Sequence, residues 1–325
     1  MKFSVVAIVS LLSSALAHPE VLSHREIERR SAISKRCEAT AAHFNRKRVA
    51  KRMAKRWAGA GNTTYQIQAE APYYNSIQND TCVLTPTVTG GPYIWPNSQT
   101  LRQDMSEKQP GVPLWLDIGV LDVNTCEPLP NVLVNLWHCN ATGSYSSFTG
   151  RSPNTPFEQL LEELGVDIED LINGNFDLHT DDTTFLRGMW PTNAEGMMEM
   201  KTTFPGFYVE RAIHIHVQVY TDWTLRENGT VSSGNAVSTG QLFFDEDLSS
   251  QIMALEPYSS HVEIERTLNS VDTIFTGATN GYNPIMSVVP ADGADYTNGV
   301  IGYITVGVDP TGNSAGGGPS GPPPS

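Results

Sequence analysis

From about residue 66 the chain alternates short apolar runs with turn-rich connections. The cleanest run is RAIHIHVQVY, residues 211–220. Side chains of a β-strand alternate between faces with a period of two. Ile213, Ile215, Val217 and Val219 therefore share one face, and all four are β-branched residues suited to a packed core. Ala212, His214, His216, Gln218 and Tyr220 share the other. The alternation predicts a strand with two imidazoles side by side, near enough to reach one ion. His-x-His is short, and on its own it also fits two ordinary half-exposed histidines on a solvated face.

Further runs read as strands. Residues 114–123 and 132–138 flank NTCEPLPN, a turn-rich connection, and predict a hairpin. Residues 197–203 and 212–220 follow one another across a Pro-Gly turn, and 241–245 and 299–307 add two more strands. One helix interrupts them: PFEQLLEELGVDIEDLI, residues 156–172, has apolar positions at helical spacing and reads as a packing or lid helix within a loop. Many short strands with few helices favour a sandwich or a barrel. No internal repeat is visible. From Asp309 the chain becomes Gly/Pro/Ser-rich, the composition of a disordered tail over 309–325.

The start of the chain changes the picture. The 325 residues allow one large domain or two small ones. Residues 1–17 combine a basic start, a short apolar stretch and an Ala15-Leu16-Ala17 ending, the pattern of a secretory signal peptide. It is too short for a membrane span, and no later stretch is long and apolar enough to be one. Residues 18–56 are polar and basic, punctuated by Lys35-Arg36, Lys47-Arg48, Lys51-Arg52 and Lys55-Arg56. In a secreted chain such pairs suit a kexin-type protease, so a removable propeptide is expected ahead of a domain over 57–308. A basic surface-binding arm is the alternative.

Residues 1–56 hold 13 of the 21 Lys and Arg but only 4 of the 35 Asp and Glu, which leaves the rest at net −23. That balance argues against nucleic acid and anionic membranes as partners. Asn62, Asn79, Asn140 and Asn228 head N-x-S/T acceptors, as in a secreted, extracellular glycoprotein. Cys37 falls in the propeptide-like segment. Cys82, Cys126 and Cys139 remain, enough for one disulfide and one thiol. Cys126 and Cys139 sit at opposite ends of the second hairpin strand, so Cys82 is expected to pair with one of them.

Two tyrosines lie in Gly-containing turns at the mouths of strands: Tyr145 in WHCNATGSYSSF and Tyr208 in FPGFYVERAIHIH. Here the chain resembles the intradiol ring-cleavage dioxygenases, most closely their secreted fungal members. The resemblance rests on TPTVTGGPY (85–93), residues 111–146, FLRG (185–188), TTFPGFYVERAIHIHV (202–217) and GQLFFDED (240–247), in family order. It implies an all-β fold: an antiparallel β-sandwich with one inserted helix and long loops. It also implies a mononuclear non-haem Fe(III) held by Tyr145, Tyr208, His214 and His216. Ferric iron is hard and highly charged, and anionic phenolate oxygen suits it. The implied reaction inserts O2 between the two hydroxyl-bearing carbons of a catechol-type ring, giving a cis,cis-muconic acid. The partners are then a small aromatic diol and O2.

By the same resemblance Tyr208 is the labile ligand and takes a substrate proton. Arg211 stabilises negative charge on the activated ring, as its permanent charge and fixed fork allow. Gln241 supports the metal site, and Pro92 and Tyr93 border the substrate pocket. Arg211 has the parity of the Ile face, so a bend or bulge is expected near residues 210–212. Trp190, Asn193 and Glu210 depart from the family pattern and are expected to bear on substrate preference. The short gap between Tyr208 and His214 implies an open cleft. The helical hairpin that dimerises bacterial relatives has no counterpart, which implies a monomer. A zinc or copper enzyme built on His-x-His is disfavoured, since zinc sites rarely recruit two tyrosines; the reading that remains is a non-catalytic sandwich that binds phenolics or cell-wall material.

Overall fold

The computed structural model describes residues 23–41 except 26 and 34, 83–84, 91–95, 100–172, 175–227, 230–279 and 282–312. The signal peptide, the dibasic pairs from Lys47 to Arg56, Asn62, Asn79, Cys82, Asn228 and the tail beyond residue 312 lie outside them.

The elements in chain order are β1 (Val83–Leu84), β2 (Pro113–Asp122), β3 (Leu133–Trp137), α1 (Phe157–Leu164), α2 (Ile168–Ile172), β4 (Arg187–Pro191), β5 (Met197–Thr203), β6 (His214–Tyr220), β7 (Trp223–Leu225), β8 (Val231–Ser233), β9 (Ser238–Phe243), α3 (Glu246–Met253), α4 (Thr273–Ala278), β10 (Ser287–Pro290) and β11 (Val300–Val308). One sheet has the order β1-β11-β2-β5, with β10 also on β11; the other has β4-β3-β6-β9. Their facing sides form the main core. Leu116, Ile118 and Ile304 from the first sheet meet Leu136, Ile215 and Val217 from the second. The apolar face expected of residues 213–219 is therefore core.

The chain is mostly β and layered, but not wholly antiparallel. β11 runs parallel to both β1 and β2, with nine residues of β11 in register against β2. The first sheet is mixed. The hairpin expected of residues 114–123 and 132–138 is also absent. β2 is flanked by β11 and β5, so neither of its edges is free for β3. The turn after β2 closes through Asp122 N–H to Glu127 O and Leu129 N–H to Val120 O, both 2.9 Å. The chain then crosses, and β3 joins the second sheet. β5 and β6 are likewise split between the sheets. An alternating pattern reports which face is buried, not which strand lies alongside.

The helical stretch 156–172 is two helices. Gly165 takes a left-handed conformation (φ 65°, ψ 34°) and ends α1, as glycine commonly does just past a helix end. Leu160 and Leu161 of α1 cover a second cluster, which holds Trp137, Tyr145 and Phe148 on the outer side of the second sheet.

The cysteine expectation needs correcting. Cys126 is bonded to Cys37, 89 residues away, and Cys139 is a buried free thiol. Helical residues between 24 and 41 carry Cys37 and Ala41 against Leu121 and Cys126. The Arg36 guanidinium donates to the Val123 carbonyl beside them. The basic composition around Cys37 reads as a removable segment, which hides this pair from the sequence. Among the described residues no helix is long and apolar enough to cross a membrane.

The loops that follow β3 and β5 touch backbone to backbone. A Cβ on Gly206 would lie 2.3 Å from Ala141 O, and one on Gly143 would lie 2.3 Å from Phe207 O. Neither obstacle is a side chain that can swing away. Gly206→Ala should therefore lower stability by about 1–3 kcal/mol, the range for forced overpacking. Gly165→Ala has nothing within 4 Å of the new carbon and should cost only about 1–2 kcal/mol for its left-handed backbone. Denaturant unfolding compares them. A wild-type midpoint in Gly206→Ala would show that the loops do not meet this closely.

Candidate active site

The second sheet's outer face is buried at one end, and the predicted site residues meet there. His214 and His216 are 2% and 3% exposed, which excludes the half-exposed reading. Register places Trp137 and Gln241 on either side of His216. The Trp137 and His216 rings stack at 4.7 Å and 3°.

The loop after β3 delivers Tyr145. Asn140 shapes it: its side-chain oxygen accepts from the N–H groups of Thr142 and Ser144 at 3.1 and 3.0 Å. The loop after β5 delivers Tyr208. There a tight turn joins Tyr208 to Arg211 (Arg211 N–H to Tyr208 O, 3.3 Å), with Glu210 at φ 65°. This is the bend expected near 210–212. It also explains why Glu210 stands at a position that suits glycine, because φ there is left-handed. The turn frees Arg211 from the strand's alternation and swings it to the histidine side.

Four donor atoms converge. Tyr145 Oη lies 3.0 Å from His216 Nε2, His216 Nε2 lies 3.1 Å from His214 Nε2, and His214 Nε2 lies 3.3 Å from Tyr208 Oη. His214 Nδ1–H donates to Ala212 O at 2.7 Å. That bond fixes the tautomer and turns the Nε2 lone pair into the site. His216 Nδ1 is buried with no hydrogen-bond partner.

Burial sets the charges. It holds His214 down to about 3, with the Arg211 guanidinium adding to the effect. His216 is also well below the ordinary imidazole range, first through burial and then through His214. Burial pushes Tyr208 up to about 12 against the pull of Arg211, and raises Tyr145 well above 10. Each cause is loss of water around the charged form. The site thus presents two neutral nitrogens and two phenols that ionise only if positive charge is placed among them. Two ligands at about 2.1 Å from one ion and at right angles are about 3.0 Å apart, close to the spacings here. Among the described residues no three His, Cys, Asp or Glu side chains gather into a metal site, so a cation at this point has to use the tyrosines. The donor set fits a hard, highly charged ion such as Fe(III).

Arg211 and Gln241 join the constellation. Arg211 Nη1 donates to Tyr208 Oη at 3.4 Å, and Nη2 donates to Gln241 Oε1. Tyr93 stacks on Tyr145 at 4.8 Å and meets Tyr208 edge-on at 6.2 Å. Beside these tyrosines opens a shallow cleft, bordered also by Ser144, Phe148, Arg151 and Pro153. Trp190 and Asn193 lie elsewhere. Trp190 packs on the main core, and Asn193 caps the β4–β5 turn through Glu195 and Met197 N–H. The structure does not bring them to the cleft.

Two residues escaped the sequence reading. Arg187 is 3% exposed. Its Nε donates to Ser146 Oγ, its Nη2 to Ser146 O and Tyr93 O, all within 2.9 Å, and it lies 6.0 Å from the Tyr145 ring centre. It ties the Tyr93 and Tyr145 segments together. A lone arginine inside the apolar run FLRGMW was the available signal. Asp272, which accepts from Arg211 Nε at 2.9 Å, left no signal, because it lies in a loop some 60 residues further on.

A family model described as "Dioxygenase" (Dioxygenase_C) matches residues 89–247, a span that includes every residue of this site except Asp272. No curated protein matches the chain. Among solved structures, an intradiol ring-cleavage dioxygenase from Tetranychus urticae is similar at 27% identity and TM-score 0.57, over 72% of this chain and 98% of that one. Two more distant chains are a dioxygenase domain from Streptomyces sp. SirexAA-E (23%, TM-score 0.39, 69% and 97% covered) and catechol 1,2-dioxygenase from Pseudomonas arvilla C-1 (18%, TM-score 0.38, 69% and 62% covered). The family match and the Tetranychus structure, set beside this geometry, make the chain similar to the intradiol ring-cleavage dioxygenases, which are oxidoreductases.

Proposed function

We propose that the chain is a secreted, Fe(III)-dependent enzyme that cleaves catechol-type rings between their two hydroxyl-bearing carbons to give cis,cis-muconic acids. The observation that carries this reading is the meeting of Tyr145 Oη, Tyr208 Oη, His214 Nε2 and His216 Nε2 within 3.0–3.3 Å of one another in sequence around the site. Ferric iron bound by these four would supply Lewis-acid activation of the diol and draw electron density from its ring, which opens the ring carbons to O2.

The chain's own residues do the rest. Tyr208 sits on a turn rather than a strand and contacts both His214 and Arg211. It is the group placed to leave and take a proton from a substrate hydroxyl at its Oη. Arg211 faces that point and stabilises negative charge on the diol in a site from which water is excluded. Gln241 accepts from the far nitrogen of Arg211 and orients it. Tyr145 is held beneath Tyr93 and beside Arg187, so it is the fixed member of the tyrosine pair. Phe148 and Tyr93 give the cleft aromatic walls for a flat ring.

Secretion is the second part of the reading. A disulfide between residues of a folded domain is typical of an oxidising compartment, and Cys37–Cys126 supports that setting. We also propose glycans on Asn62, Asn79 and Asn228; the Asn140 side chain is engaged in the turn that delivers Tyr145. Cleavage at Lys47-Arg48 or beyond would sever the basic segment from the main chain, yet Cys37 would hold it there.

The purified iron-loaded protein should be wine-red from tyrosinate-to-iron charge transfer and should produce muconate absorbance from catechol. Tyr208→Phe should still take up iron, shift the band and lose about 100-fold or more in rate, the scale of a lost proton-transfer group. A colourless, iron-free protein would sink the iron assignment. Colour without turnover of catechol, protocatechuate, hydroxyquinol or pyrogallol would instead favour a sandwich that only binds phenolics.

Secreted protein processed at Lys47-Arg48 or later should run as one species without reductant and release a small basic fragment with it. Release of that fragment without reductant would refute the tether.

A further inference from the structure

Asp272 reaches Arg211 from a part of the chain some 60 residues further on. It lies in the loop before α4, outside the matched span, and its side chain is fully buried. A buried carboxylate is costly unless it is paired and hydrogen-bonded, and this one is saturated. Oδ2 accepts from Arg211 Nε at 2.9 Å and from Ala212 N–H at 2.8 Å. Oδ1 accepts from the N–H groups of Ile274 and Phe275 at 2.8 and 3.1 Å, which caps α4. Ile274 packs with Ala212 and Phe243, so the loop is anchored to the strand that carries the histidines and to its neighbour.

The consequence falls on Arg211. Its backbone sits in the left-handed turn after Glu210 and outside β6, so no strand holds it. Its guanidinium is gripped on two sides: Nε by Asp272 and Nη2 by Gln241. Nη1 is left aimed at Tyr208 Oη. Of the two grips only Asp272 is charged, and an ion pair between a planar guanidinium and a carboxylate is directional. Gln241 alone would leave a long side chain pivoting about one neutral contact.

We propose that Asp272 is the positioning residue for Arg211: it aims the guanidinium at the atom where substrate charge develops, without itself touching substrate. The proposal rests on the reading of Arg211 as the charge-stabilising group.

The test is a double-mutant cycle in the iron-loaded full chain with catechol. Asn caps helices as well as Asp does, so Asp272→Asn keeps the cap on α4 but sets an amide where Arg211 needs a carboxylate. We expect kcat to fall roughly 10- to 100-fold, the scale of a misplaced catalytic group, with KM changed less than about threefold and the charge-transfer band in place. Arg211→Gln should fall at least as far. Adding Asp272→Asn to Arg211→Gln should cost nothing further, because residues that act through one another are not additive. A merely structural role would cost the same in both backgrounds, and that result overturns the proposal. Full turnover in Arg211→Gln would sink the role of Arg211 and the proposal with it. A slowed Arg211→Gln beside an unaffected Asp272→Asn would sink the proposal alone. If Asp272→Asn does not fold, the wild type decides: in the metal-free full chain the Arg211 Nε–H should give a slowly exchanging NMR signal, missing in Arg211→Gln. Exchange at the solvent rate would refute the clamp.

Discussion

Everything at this site depends on the backbone contact between the loops after β3 and β5. Gly206 lies under Ala141 O, and Gly143 lies under Phe207 O. That contact brings Tyr145 and Tyr208 over the two histidines of β6, and α1 with the Tyr93 segment then closes the outside. Without it, His214 and His216 would be ordinary imidazoles on the outer face of a sheet. With it, water is excluded, the imidazoles stay neutral and the phenols stay protonated until a cation compensates them. A single packing constraint therefore sets both the geometry and the protonation states of all four donors.

Charge is arranged in the opposite sense to the domain as a whole. Residues 57–325 carry net −23. Of their eight Lys and Arg, Arg151, Arg187 and Arg211 all border the candidate site. An acidic surface disfavours the approach of anions. On the proposed function, a diol enters neutral and its deprotonation belongs inside, beside Tyr208 and Arg211. The long-range field and the local one are thus matched to different stages of the same event.

The parts legible in sequence were those with a local pattern. Ile213 to Val219 showed their face because a strand's period is two, and His214 and His216 followed from the other parity. Tyr145 and Tyr208 were found through the resemblance, and the bend at Glu210 came from a parity conflict. What escaped was non-local. β3 leaves β2 because β11, from the far end of the chain, takes the edge. Arg187 was a single charge in an apolar run. Asp272 reaches Arg211 only once α4 docks. Cys37 is hidden for a different reason: the basic composition around it is that of a removable segment, whereas its partner Cys126 lies 89 residues away.

The tether and the site lie at opposite ends of the second sheet. In β3, Leu133 pairs with Pro191 and Tyr220, while Trp137 pairs with Arg187 and His216. The connection that bears Cys126 enters at the Leu133 end; the tyrosine loop leaves from the Trp137 end. In the uncut chain the disulfide closes a span of 89 residues, and on the chain-entropy account a crosslink of that length contributes about 4–5 kcal/mol. It stabilises the β2–β3 crossing, the feature that commits β3 to the second sheet. The described part of the basic segment, around Cys37 and Ala41, packs on Leu121 and Cys126 rather than on the donors. Its retention is thus compatible with an open site, and its contribution is to the frame on which the two tyrosine loops are hung.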